Sequence, residues 1–423
     1  MASPVSAGGA HRRDIQGLRG VAVLLVVAFH ARIGPRGGFV GVDVFLVISG
    51  FVIGRGLIDE RIRTGTVRLR SFYARRVRRL LPAMAVFTVT TAIVGALVLS
   101  PFGDQQRVLS TGMAATVFLA NVQLYRTTGY FDGSADRNPF LHTWSLSLEE
   151  QFYALLPLAL MFTWWLARCR GDRRNPTTNR PFGAREVALV AVVGLGAMSL
   201  VLSILLTSGL VGFALEAPQR LVFFSMPTRI WQFSAGVVLA VTGLPSGRVG
   251  TRTAGIVGLG ALMALLGVAV VVDPLAPHMS LWTVLVVAAA VVVIMTATPD
   301  GPGTRLLSSP PLVWVGDRSY GWYLWHWPFV VFAGVLWPDR PGVLVLAAVV
   351  SLAPTELSYR FVERRFRFGA QWVGPRTVGL AAVCILVPLL VLVDFAWPPT
   401  GAWGSRSPLT GMTFHRHTAP IAI

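Results

Sequence analysis

Apolar runs of nearly uniform length, separated by short polar loops, fill the chain from end to end. They cover roughly 15–33, 38–58, 80–100, 107–125, 143–167, 185–207, 221–243, 254–272, 281–297, 319–337, 343–361 and 377–396. Each is as long, or nearly as long, as the ~20 residues a helix needs to cross a bilayer. The pattern predicts an all-α, polytopic membrane protein. The first run reads as retained rather than cleaved, because a second follows at once and no small-residue cleavage site stands between them.

Composition agrees: 54% of the 423 residues are hydrophobic and 13% charged, which excludes an ordinary soluble domain. The net charge of +18 invites a nucleic-acid reading, but the distribution of the basic residues argues against it. All 37 are Arg, with eight between Arg61 and Arg79, six between Arg168 and Arg185 and four between Arg364 and Arg376. Short basic loops beside apolar runs mark the cytoplasmic face. The two cysteines, Cys169 and Cys384, imply no disulfide.

The same loops set the expected topology. With Arg12 and Arg13 inside, the loops at 59–79 and 168–185 must both be inside, yet three apolar runs lie between them. One of the three must fail to cross. The 107–125 run, which carries Asn121 and Gln123 and leads into Arg126, is the best candidate. The expectation is about eleven transmembrane helices plus one re-entrant or interfacial segment, with the N-terminus cytoplasmic and the C-terminus extracytoplasmic. It divides the chain into a cytoplasmic N-terminus at 1–14, a membrane domain at 15–368, a cytoplasmic linker with the final helix at 369–396, and an extracytoplasmic tail at 397–423.

Polar residues inside apolar runs are functional candidates because they are expensive there. Arg19 and His30 stand eleven residues apart in RDIQGLRGVAVLLVVAFH. Eleven steps of about 100° return to within about 20° of the starting azimuth, over a rise of roughly 16.5 Å. They therefore share a helix face, about half a bilayer apart. His30, Asp43, Glu149 and Glu150 all fall in the outer half of the expected membrane, and Arg229 and His326 lie inside later runs. Each also has a structural reading: His326, between Trp325 and Trp327, suits helix packing as well as chemistry, and Asp43 suits capping as well as catalysis. Arg75, Arg76 and Arg79 in SFYARRVRRLLPA are in helical phase, fitting either an anionic ligand or lipid headgroups. No phosphate loop, zinc spacing or serine elbow is present, and no metal is expected.

The runs RDIQGLRGVAVLLVVAFH, GGFVGVDVFLVISGFVI, FYARRVRRLLPA, NPFLHTWSLSLEEQFYALLP, RIWQFSAG and SYGWYLWHWPFVVF strongly resemble the membrane acyltransferase-3 family over about residues 12–368. The likeness is greatest to bacterial O-antigen and peptidoglycan O-acetyltransferases. The resemblance implies a membrane O-acyltransferase that moves an acyl group, acetyl by expectation, from a cytoplasmic acyl-CoA to a hydroxyl of an envelope glycan or glycolipid. It implies catalytic roles for His30, with Asp43 or Glu149 orienting its imidazole. Arg19, Arg75, Arg76 and Arg79 would hold the acyl-CoA phosphates. Tyr153, Arg229, Ser319, Tyr320 and His326 are candidates for binding substrate or the thioester oxygen. His30 as general base or as acyl-carrying nucleophile remains open. Helices 1–3, 5 and 10 are expected around a polar tunnel.

Two departures bear on this. Gln232 stands in RIWQFSAG where the family more usually has an acidic residue, so Arg229 needs another partner. The sequence also ends about 27 residues after its last apolar run, in a tail bearing His415 and His417, without the SGNH-type domain that often follows. Expected partners are membrane lipid, a carbohydrate or glycolipid acceptor and, in one reading, a separate SGNH-domain protein; nucleic acid is not among them. Alternatives are acylation of a small glycosylated metabolite, an acyl-relay subunit, or a transporter, although the two halves show none of the symmetry common in transporters.

Overall fold

The computed structural model of the chain describes residues 12–101, 103–127, 135–169, 183–210, 217–243, 250–273, 281–298, 300–368 and 374–396. The tail at 397–423, with its two histidines, and most of the N-terminal segment lie outside the described residues. The helices are α1 (Arg13–His30), α2 (Gly41–Thr64), α3 (Leu69–Val98), α4 (Asp104–Thr116), α5 (Ala120–Thr127), α6 (Thr143–Cys169), α7 (Ala184–Thr207), α8 (Pro218–Phe224), α9 (Ile230–Thr242) and α10 (Thr251–Val271). Then come α11 (Leu281–Met295), α12 (Pro302–Leu307), α13 (Pro310–Leu336), α14 (Pro341–Val350), α15 (Leu352–Leu357), a π-helical turn at Ser358–Glu363, α16 (Arg364–Phe368) and α17 (Pro375–Ala396).

The expectation of eleven crossings is corrected. Among the described residues, six helical stretches are long and apolar enough to cross a membrane: Gly38–Thr64, Leu69–Val98, Arg185–Thr207, Thr251–Val271, Gly342–Phe368 and Pro375–Phe395. The other runs fall short for two physical reasons. With 13 and 15 residues, α9 and α11 reach only about 20 and 22 Å, against a hydrocarbon core of ~30 Å. The remaining long helices are too polar along their length: α1 holds Arg13, Asp14 and Arg19, α6 holds Gln151 and Tyr153 beside Glu149 and Glu150, and α13 holds Ser319, Tyr320, Tyr323 and His326 beside Asp317 and Arg318. Apolar run length alone does not separate a span from a helix buried inside the protein. The 107–125 run is split between α4 and α5, and the chain turns between them with Phe118 at φ +56°.

At the centre, α1 and α13 lie side by side. Gln16 meets Gly316, Arg19 meets Ser319 and His30 meets His326, so the two helices run in the same direction. Glycine permits the approach: a Cβ on Gly316 would lie 1.8 Å from the Gln16 carbonyl oxygen, and one on Gly20 would lie 2.5 Å from that of Leu312. A second close crossing joins α2 to α9. A Cβ on Gly50 would lie 2.0 Å from Phe233 O, and one on Gly236 would lie 2.0 Å from Val47 O. Small residues at such crossings let backbones pack where lipid offers no hydrophobic drive between helices.

Gly316→Ala is therefore expected to lower the thermal unfolding temperature of the detergent-solubilised protein. Its cost should exceed the ~1–3 kcal/mol of ordinary overpacking, because the clash is with backbone rather than a movable side chain. Gly260→Ala, where a Cβ meets open space, should leave the melt unchanged. Equal melts for both variants would mean that the α1–α13 approach is not this tight.

Candidate active site

His30 ends α1 and is partly exposed, whereas His326 in α13 is fully buried. His30 Nδ1 lies 2.9 Å from His326 Nε2, and His326 Nδ1 lies 2.9 Å from the carbonyl oxygen of Trp322. Trp327 packs on His30 with ring centroids 4.5 Å apart. A third imidazole, His142, is 5.6 Å from His326 between centroids, and its Nε2 donates to Leu324 O at 3.1 Å. Beyond the end of α1 come Arg32 and, on a 3₁₀ turn at Ala135–Arg137, Asp136. Burial pushes the Asp136 carboxyl up to about 6, and the Arg32 guanidinium opposes that rise.

The other end of the site is cationic. Arg75, Arg76, Arg78 and Arg79 of α3 and Arg367 of α16 line a cavity of about 370 Å³, with Phe72, Leu57 and Ile53 on its apolar side. That volume suits a small-molecule ligand, and five guanidinium groups suit phosphate. Glu60 partly offsets the charge, 3.9 Å from Arg75. Arg76 and Arg79 also line a second, narrow cavity of about 20 Å³, together with Arg19, Glu149, Glu150, Tyr153 and Tyr320. Side chains of α1, α3, α6 and α13 thus meet around one polar centre.

Within that centre Arg19 Nε donates to Ser319 Oγ at 3.2 Å. Glu149 accepts hydrogen bonds from Ser49 and from the Tyr153 hydroxyl, and Arg76 lies over the Tyr153 ring at 4.3 Å. The Tyr320 hydroxyl donates to Leu80 O at 3.0 Å. The hydroxyls of Tyr153 and Tyr320 therefore already have acceptors at the Arg19 end, about 16.5 Å of helix rise from His30.

Asp43 is taken up elsewhere. Its Oδ1 accepts from Arg229 at 3.0 Å and from Gln232 Nε2 at 2.7 Å. Arg229 also donates through Nε to Phe223 O at 3.1 Å and lies against the packed rings of Trp144 and Phe223, at 5.3 and 5.1 Å from their centroids. Gln232 does not displace a carboxylate from Arg229. It shares one, and that carboxylate comes from a helix far away in sequence.

The structure thus gathers the sequence candidates into three groups: His30 with His326; Arg19, Glu149, Tyr153, Ser319 and Tyr320 with Arg76 and Arg79; and Asp43 with Arg229. Arg75 stays with the basic cavity. Sequence reasoning missed His142, Arg78, Arg367 and Glu363. Glu363 is buried on the π-helical turn, one carboxylate oxygen lacks a hydrogen bond, and Arg79, Arg367 and Arg19 act on it electrostatically. Arg367 was hidden because a basic loop beside an apolar run already has a topological explanation. No group of His, Cys, Asp and Glu suited to a metal ion occurs among the described residues.

A family model described as an acyltransferase domain matches residues 12–355. The chain is 34% identical to a protein of Komagataeibacter xylinus named as the membrane-bound transacylase BcsY, across 84% of this chain and 82% of that one. It is 30% identical to the peptidoglycan O-acetyltransferase OatA of Listeria monocytogenes, across 84% of this chain and 55% of the relative. With the O-acetyltransferase OatA of Staphylococcus aureus the identity is 28%, across 89% and 61%. The chain thus spans little more than half the length of the two OatA proteins. No solved structure matches it.

Proposed function

The chain belongs to the acyltransferase-3 family of membrane acyltransferases, and from that premise we propose that it moves an acyl group, acetyl in the first instance, from acyl-CoA to a hydroxyl of an envelope glycan or glycolipid. The observation that carries this reading is the placement of two chemistries on one helix. Arg19 opens into the basic centre, and His30 ends the same helix beside a second imidazole.

In this reading the basic cavity receives the phosphates of CoA through Arg75, Arg76, Arg78, Arg79 and Arg367. The pantetheine arm runs past Arg19 along α1 and brings the thioester toward His30. There His30 takes the proton from the acceptor hydroxyl as its oxygen attacks the thioester carbon. The basic cavity then faces the cytoplasm, where acyl-CoA is made, and His30 lies toward the far side. The acyl group passes either straight to the glycan or to a separate SGNH-type protein outside; a transfer assay with no partner protein separates these routes.

Radiolabelled acetyl-CoA supplied to protein in nanodiscs, with envelope glycans as acceptors, should yield labelled glycan and free CoA. The absence of both binding and turnover with any acyl-CoA would overturn the proposal. Arg76→Gln and Arg79→Gln should each weaken acetyl-CoA binding by about ten- to a hundredfold, the worth of one charge-assisted hydrogen bond. Added salt should weaken wild-type binding in the same direction. Arg70→Gln, on α3 outside both cavities, is the control. Calorimetric titration that found all three variants equal to wild type would remove the basic cavity from the CoA site.

A further inference from the structure

We propose that His326 is the positioning residue that decides which nitrogen of His30 carries the proton, leaving His30 Nε2 as the base; this rests on the acyl-transfer reading above. The tautomers follow from the hydrogen bonds. A backbone carbonyl only accepts, so His326 Nδ1, 2.9 Å from Trp322 O, carries a hydrogen. His326 is fully buried and faces the rings of His30, His142 and Tyr323 rather than a carboxylate. Holding it as an unpaired cation there would be costly, so it is neutral and its Nε2 is an acceptor. The proton between the rings then belongs to His30 Nδ1, and the lone pair of His30 is left on Nε2.

Ring geometry supports a directed bond. The two planes are within 14° of each other and the centroids are 5.2 Å apart. That separation exceeds the 2.9 Å nitrogen distance by about one ring diameter. The rings therefore lie edge to edge along the N–H···N line, which both aims and fixes the His30 imidazole. Only His30 of the pair is partly exposed, and among the described residues its Nε2 makes no hydrogen bond, so this nitrogen is the one an acceptor hydroxyl can meet.

The step balances. The hydroxyl O–H bond breaks and its proton goes to His30 Nε2. The oxygen bonds to the thioester carbon, the C–S bond breaks, and the CoA thiolate leaves with the proton that His30 returns. His326 keeps both of its bonds throughout, and its Nε2 faces the imidazolium that forms transiently on His30. This is the orienting part that a carboxylate plays in other His-based sites, filled here by a neutral imidazole.

The test uses the full chain with ¹⁵N-labelled histidine in liposomes. Solid-state NMR should find wild-type His30, identified by the signals lost in His30→Gln, as the Nδ1–H tautomer. His326→Ala should let the other tautomer appear. In the acetyl transfer assay His326→Ala should lower kcat by about a hundredfold or more, with acetyl-CoA affinity unchanged. His326→Gln, whose amide oxygen can stand where Nε2 stood, should recover much of this. His326→Asn, whose oxygen stands nearer the Nδ1 position, should not.

An Nε2–H tautomer on wild-type His30, or Gln and Asn variants equally active, would overturn the proposal. A wild-type protein that turns over no acyl-CoA would defeat the functional reading, while the NMR measurement would still decide the tautomer. The wild-type spectrum and the Gln–Asn comparison also decide the matter if the Ala variant fails to fold.

Discussion

His30→Ala is expected to abolish acyl transfer while acetyl-CoA still binds. The loss should be about 10²–10⁴-fold in kcat, the range for removing a positioned general base. Binding should survive because the cationic groups that would hold the phosphates lie at the opposite end of α1, about 16.5 Å of helix rise from residue 30. Arg19→Ala should do the reverse, weakening acetyl-CoA binding and leaving a residual rate at saturating donor. Single-turnover kinetics with radiolabelled acetyl-CoA, beside equilibrium binding, separates the two effects. Trapping label on wild-type protein but not on His30→Ala would show that His30 carries the acyl group itself, the alternative to base catalysis. A His30→Ala protein with wild-type turnover would remove His30 from the chemistry.

The first helix was the most legible part of the molecule, because 3.6-residue periodicity is local. Arg19 and His30 could be placed on one face from their spacing, and in the structure both reach α13. What each meets there was not legible. Ser319 and His326 lie some 300 residues further on, and nothing local fixes which helix packs beside α1 or in what register. The glycines at this approach, Gly20 and Gly316, read in sequence only as ordinary small residues of membrane helices. The number of spans was misread for a related reason. Run length measures how apolar a segment is, not whether lipid or protein surrounds it. The polar α1, α6 and α13, and the short α9 and α11, were therefore counted with the six stretches long and apolar enough to cross. Asp43 was read as a partner for His30 because the expected topology put both at similar depth. The structure gives its carboxylate to Arg229 instead.

That pairing supports a second large effect, on folding rather than chemistry. Asp43 and Arg229 are 2% and 1% exposed, and their ion pair at 3.0 Å ties α2 to the start of α9. Removing one partner leaves the other charged and dry, which costs about 3–5 kcal/mol for buried pairs. Since domains are stable by only about 5–15 kcal/mol, Arg229→Ala or Asp43→Asn should remove a large part of that margin and lower the melting temperature sharply. Replacing both charges should behave differently. In the double variant Asp43→Asn/Arg229→Gln no buried charge remains, and the amides can still bond to each other and to Gln232. Stability, followed by size-exclusion profile and thermal melting in detergent, should largely return. Activity then distinguishes the two roles open to Asp43. A double variant that folds and transfers acetyl groups makes the pair a structural clamp that holds α2 and α9 against the site. A double variant that melts like wild type yet turns over nothing would place the Asp43 carboxylate in the chemistry after all.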